Sequence, residues 1–182
     1  PLAATDRFAT LTAGGVDLVA RGSVWSLSAD VGQAVDLVAV TYYDQLGFLL
    51  PVELGVSSAK ELNMASICVP ADMVTAPLLD DFFRANAITY QAKAAPGDVE
   101  ARQMYLAEDC DAYARPASEL YSVRATFETP SNHMIVTDPA SRLPSGPVVR
   151  EGDNQWEDVV RWTWFALLAA EETFVLGGDY NV

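Results

Sequence analysis

Short β-like runs alternate with helical runs along almost the whole chain, and this alternation limits the possible folds more than any single motif does. The apolar runs "VDLVAR" (16–21), "VDLVAVTYY" (35–43), "GFLLPV" (47–52), "ASICV" (65–69), "ITYQAK" (88–93), "DAYA" (111–114), "HMIVT" (133–137) and "GPVVRE" (146–151) are short enough to be strands. Between them lie helical patterns. "DRFATLTAG" (6–14) ends at Gly14 and Gly15, and "SAKELN" (58–63) is a short helix. A helix from Pro77 to Asn86 places Leu79, Phe82 and Phe83 on one face. "PGDVEARQMYLAEDC" offers Val99, Met104 and Leu106 as partial core contacts, and "ASELYSVRATF" (117–127) follows. The last helix begins near Asn154, where Asn154 and Glu157 fit a capping box. Trp156, Val159, Val160, Thr163, Phe165, Leu167 and Leu168 give it a broad apolar face. The pattern predicts an α/β fold with mainly parallel sheets, in which ligands bind at the carboxyl ends of strands.

Charge and chemistry narrow the function classes. The 182 residues hold 11 Lys and Arg against 25 Asp and Glu, a net charge of −14. Nucleic acid is not expected as a partner, because phosphate binding needs clustered cations. The most apolar stretch, "WTWFALLAA", is too short to span a bilayer. The chain opens at Pro1 without an initiator Met or a signal peptide, the pattern of a processed or longer parent. With one histidine, His133, and two cysteines, a structural zinc site lacks ligands, and no metal or cofactor is expected. The phosphate-loop, dinucleotide, metalloprotease and nucleophile-elbow motifs are all absent. Adjacent carboxylates such as Asp80–Asp81 and Glu171–Glu172 read as solvated helix faces, leaving Asp72 and Asp30 as loose acid–base candidates. An enzyme is not expected. Spacing alone leaves Cys68 and Cys110 open between a disulfide and two buried thiols.

One loop, "GSVWSLSAD" (22–30), is dense in hydroxyls around a tryptophan and follows a strand-like run. Its neighbourhood carries a resemblance. "RFATLTAGGVDLVARGSVWSLSADVG", "VTYYDQLGF", "ICVPADMVTAPLLDDFFRAN", "DCDAYARPASELYSVR" and "LPSGPVVREGDNQWEDVVRWTWFALLAAEE" occur in one order. Together they resemble the general (polar) amino-acid-binding proteins of bacterial ABC importers, over nearly the whole chain to about Glu172. The resemblance implies a periplasmic, non-enzymatic, two-lobed type II binding-protein fold that closes around a free amino acid and hands it to a membrane permease. It also implies a disulfide between Cys68 and Cys110. Residues 49–145 would form a complete lobe two, and residues 1–48 with 146–182 an incomplete lobe one. Family members carry further residues before "RFATL", so a partner chain completing lobe one is a second expectation.

The same resemblance marks departures at the ligand. Where the family loop reads like "RNTTWTLSRD", Ala29 replaces the arginine that clamps the ligand carboxylate, Gly22 replaces Asn and Val24 replaces Thr. The Gly-Thr-Thr-Thr-Glu turn of lobe two becomes Asp72, Met73, Val74, Thr75 and Ala76. Pro116 stands where an aspartate holds the ligand ammonium. The remaining binding candidates are Arg21, Ser23, Trp25, Ser26, Ser28, Thr75 and Tyr113. Two functions follow as expectations: a solute-binding protein whose amino-acid site is altered or lost, or a degenerate scaffold acting as a structural or accessory subunit.

Overall fold

A computed structural model describes residues 6–20, 24–25, 27–71, 75–137 and 141–173, with 27–29 described in their backbone. The chain divides into two compact units, Pro1–Tyr42 with Pro144–Val182, and Tyr43–Leu143. The divisions fall at 42/43 and 143/144, a few residues from the expected 48/49 and 145/146.

The second unit is built on five strands: β3 (Leu46–Pro51), β4 (Ser66–Pro70), β5 (Gln91–Ala95), β6 (Ala112–Pro116) and β7 (His133–Thr137). Their order is β5-β4-β6-β3-β7. β4 runs parallel to β5 and β6, whereas β3 runs antiparallel to β6 and β7. The sheet is therefore mixed rather than mainly parallel: β4, β5, β6 and β7 share one direction, and β3 lies antiparallel between β6 and β7. Successive side chains alternate between its faces. Leu46, Phe48, Leu50, Ile67, Val69, Ala112 and Ala114 point one way, and α3 (Thr75–Ala85) covers them with Leu79, Phe82 and Phe83. Phe48 and Phe82 pack with ring centroids 5.4 Å apart, and Phe83 stacks on Tyr90 at 4.2 Å. Leu49, Cys68 and Tyr113 point the other way, against Ala101 and Tyr105 of α4 (Asp98–Leu106) and Leu120 of α5 (Ala117–Arg124). On α4 the expected contacts Val99 and Leu106 are exposed, and the shorter Ala101 with Tyr105 takes the buried stripe.

Two polar groups in this unit set local geometry. Asp44 is buried, and its carboxylate accepts hydrogen bonds from the backbone N–H of Gln45 (2.8 Å) and Ser118 (3.2 Å) and from the Ser118 hydroxyl (2.5 Å). Because α5 follows Pro116 without a side-chain cap of its own, Asp44 satisfies an amide of its first turn from a distance. Replacing Asp44 by Ala leaves those donors unpaired and is expected to cost about 1–3 kcal/mol, read from the denaturant midpoint. His133 lies with its Nδ1 2.6 Å from the Tyr105 hydroxyl. Burial, and secondly Arg124, holds its imidazole below the usual 6.5. A depressed folded value means that the unfolded chain takes up the proton first. Stability is then full above the unfolded pKa and is lost as pH falls through the lower folded value. The midpoint is expected to drop on acidification below 6.5, and the drop should be smaller in His133→Gln.

The first unit has a smaller core. α1 (Arg7–Thr12) supplies Leu11, which packs with Val19, Val35 and Val148 and with the partly buried Phe8, Val16 and Leu37. β1 (Val35–Leu37) pairs antiparallel with β9 (Val148–Arg150). α2 (Leu27–Gly32) precedes β1, and α6 (Asn154–Glu172) ends the described chain. The expected strand 16–21 reduces, among the described residues, to one bridge between Val19 and Val148. The expected strand 35–43 breaks into β1 and β2 (Tyr42–Asp44), and β2 pairs with β8 (Leu143–Ser145). Gly146 is required where it lies, since a Cβ there would meet the Ala39 carbonyl oxygen at 1.8 Å.

α6 is capped by Asp153, whose side chain accepts from the Trp156 N–H at 3.2 Å, one residue before the expected Asn154. Its start is pinned by the Trp156 indole donating to the Asp17 carbonyl at 2.7 Å. No α6 residue is fully buried, so its apolar face is uncovered among the described residues: Trp162 is 67% exposed and Val159 54%.

Candidate functional site

In the second unit, the carboxyl ends of parallel strands β4, β5 and β6 lie along one sheet edge, where α/β folds hold ligands. Thr75, a predicted contact, opens α3 after β4 and is buried. Asp98 opens α4 after β5, and Arg115 and Pro116 end β6. Tyr113, the other predicted contact here, is a core residue. It is 1% exposed, stacks beside Tyr105, and its hydroxyl donates to Asp98 at 2.9 Å. That geometry leaves it no open face for a solute.

The charged centre of this edge is Arg115, which sequence patterning does not single out. Its side chain is 11% exposed and ion-paired to Asp98 (3.1 Å) and to Glu119. Burial works against the guanidinium charge, but Glu119 and Asp98 outweigh it and hold its pKa above the ordinary value. The i,i+4 spacing of Arg115 and Glu119 was the available signal. The strand end where the family resemblance places an ammonium-holding aspartate thus carries the buried Pro116 beside a cation already engaged by two carboxylates.

In the first unit, the loop 22–30 is described at Val24 and Trp25 and then along α2. Arg21, Ser23 and Ser26, three predicted contacts, lie outside the described residues, as does Asp72 of the second unit. Ser28 and Ala29 lie on α2. Val24 bridges Ser145, and the Trp25 N–H donates to the Pro144 carbonyl at 2.7 Å, so backbone pairing holds these two residues. The Trp25 ring is 44% exposed, and its Nε1–H donates to Asp30 Oδ1 at 3.2 Å. Trp25 and Asp30 line a small surface recess with room for about one water, alongside the apolar Phe8, Val24, Val35, Leu37 and Val148. Of the predicted contacts, Trp25 is the one with an exposed ring at a recess.

The predicted disulfide is present. Cys68 on β4 and Cys110, just before β6, are bonded with Cα atoms 5.7 Å apart. Among the described residues there is no cluster of His, Cys, Asp or Glu able to hold a metal, and no helix is long and apolar enough to cross a membrane.

No protein-family model matches the chain. It is similar to the glutamate/glutamine/aspartate/asparagine-binding protein BztA of Rhodobacter capsulatus, 47% identical over 172 residues, which are 94% of this chain and 51% of that protein. It is 39% identical to the general L-amino acid-binding periplasmic protein AapJ of Rhizobium johnstonii, over 94% of this chain and 50% of that protein. The chain thus spans about half the length of the curated relatives it matches. Among solved structures, a periplasmic binding protein of an ABC transporter from Brucella ovis with glutathione bound superposes with a TM-score of 0.87. It is 40% identical, over 95% of this chain and 55% of that one. An ancestral arginine-binding protein bound to arginine shares the fold, with a TM-score of 0.72 at 17% identity over 94% of this chain and 73% of that one. These relatives are binding proteins, not enzymes. Over nearly its whole length the chain is homologous to one half of the amino-acid-binding proteins of ABC transporters, and it carries their type II periplasmic-binding-protein fold.

Proposed function

We propose that the chain belongs to the solute-binding component of an amino-acid ABC importer, working in the periplasm with a membrane permease, and that its solute site is altered. The observation that carries this reading is the 47% identity to an amino-acid-binding protein across 94% of the chain. The alteration rests on Ala29 and Pro116, which replace the carboxylate clamp and the ammonium partner that the resemblance implies. In this reading residues 49–145 correspond to lobe two, and residues 1–48 with 146–182 to part of lobe one. Arg21, Ser23, Trp25, Ser26, Ser28 and Thr75 are the residues proposed to border the solute, while the core position of Tyr113 argues for a supporting role.

One observation favours a second reading, an accessory interaction subunit. The apolar face of α6 that is uncovered among the described residues, with Val159, Trp162 and Phe165, offers a surface for a protein partner. Affinity purification of the natural protein from detergent-solubilised cells separates the two readings. Recovery of a membrane permease and its ATPase supports transport. A stable soluble assembly without them supports the accessory role and overturns the first reading.

A further inference from the structure

We propose that the outer edge of β5 is a docking strand for an extended, acidic segment of a partner protein, which joins the sheet beside Ala92 and Ala94. Such docking requires no solute and goes beyond the solute-binding reading.

β5 ends the sheet and, among the described residues, pairs with β4 alone. Gln91 donates its N–H to the Ala65 carbonyl, and Ala95 accepts from the Ala71 N–H, so the odd-numbered residues of β5 bond towards β4. Bonding sides alternate along a strand, so Ala92 and Ala94 turn their N–H and C=O groups outward. Residues 91–94 are all exposed, and the methyl side chains of Ala92 and Ala94 leave room for another backbone. Natural edges are commonly blunted by proline, a bulge or a charge. Here the guard is Lys93, exposed and, among the described residues, without an ion-pair partner. An antiparallel neighbour bonded at Ala92 and Ala94 places its intervening residue directly opposite Lys93, in the non-hydrogen-bonded pair where side chains come closest. A second copy of β5 centred there sets lysine against lysine, which is destabilising. An aspartate or glutamate in that place gains a cross-strand ion pair. Lys93 therefore selects a neighbour by sign: it opposes self-pairing and admits an acidic strand. The net charge of −14 does not reverse this choice, because at physiological salt charges are screened beyond about 8 Å and Lys93 lies well within that distance. Asp80 of the neighbouring α3 is engaged by the Tyr90 hydroxyl at 2.6 Å. Backbone bonds supply the affinity and Lys93 the selectivity, the division on which strand addition works.

The test is an NMR titration of the intact chain, read at the backbone amides of Ala92 and Ala94. The probes are short peptides of alternating threonine and valine: one with a central glutamate, one with a central lysine, and the glutamate peptide N-methylated at the residues flanking the glutamate. The glutamate peptide is expected to shift both amides saturably and to protect them from hydrogen exchange. The lysine peptide is expected to bind about 3- to 10-fold more weakly, the swing from an exposed attractive pair to a repulsive one. The methylated peptide cannot complete the ladder and is expected to leave both amides in place. Lys93→Glu, at an exposed position, is expected to reverse the order of the first two peptides. Equal binding of the glutamate and lysine peptides, an unreversed order in Lys93→Glu, binding by the methylated peptide, or no shift with any peptide overturns the proposal. Shifts of the two amides that grow with protein concentration before any peptide is added also overturn it, because the occupant is then a second copy of the chain.

Discussion

Replacing Cys68 and Cys110 together by alanine is expected to lower stability by about 4 kcal/mol. The bond joins positions 42 residues apart, so most of its effect lies in the unfolded chain, which loses the freedom of a long loop. In the folded chain it ties β4 to the start of β6, within the layer made by Leu49, Ala101, Tyr105 and Leu120. Both sulfurs are buried, so alanine adds no polar group to that layer. The checking measurement is a denaturant titration of the native protein with and without reductant, alongside the double alanine variant. The two should fall to the same midpoint. A native curve that reductant does not move contradicts the assignment. A disulfide of this kind fits an oxidising compartment, in keeping with relatives named as periplasmic.

The second large effect concerns the ligand. Removing one partner from a buried, hydrogen-bonded charge pair costs about 2–5 kcal/mol, and each 1.4 kcal/mol is a decade of affinity. In the proposed reading, Ala29 and Pro116 each stand where the resemblance implies such a partner. The combined cost is several decades, enough to take a micromolar amino-acid site out of reach of ordinary titration. Among the described residues of the second unit, nothing beside Pro116 supplies the aspartate that the resemblance implies. Arg115 is the adjacent charge, has the wrong sign for an ammonium, and is already held by Asp98 and Glu119. Restoring the pair with Ala29→Arg and Pro116→Asp is expected to raise the affinity for α-amino acids by about a hundredfold or more. Calorimetry of the double variant against the native chain reads that difference, and equal affinities would contradict it.

Much of the second unit is legible from sequence because its strands and helices carry simple patterns. "GFLLPV" and "ASICV" are continuous apolar runs because their sheet is covered on both faces, and β3 and β4 fall within a residue of them. Leu79, Phe82 and Phe83 share a face at helical spacing and are the buried residues of α3. Patterning misleads on α4, where the larger Val99 and Leu106 are exposed and Ala101 lies against the sheet. Size does not specify which stripe is inward when the helix must sit close to its strands. In the first unit, "VDLVAR" has strand character, but a strand needs bonded neighbours and the described residues provide one bridge, at Val19. The broad apolar face of α6 is equally plain in sequence, yet burial depends on what packs against it, which local patterning does not encode. At the site, loop 22–30 gives up Trp25 by composition, but its bond to Asp30 depends on the turn into α2. Arg115 escapes notice because its partners, Asp98 and Glu119, are brought together by the sheet and by the start of α5.

The most direct measurement is a calorimetric titration of the purified native chain with glutamate, glutamine, aspartate and asparagine, the solutes named for its 47%-identical relative. With Ala29 and Pro116 in place of the implied carboxylate clamp and ammonium partner, the proposed reading predicts no saturable heat in the micromolar range for any of the four. A micromolar Kd for even one of them, in the native sequence, would contradict it.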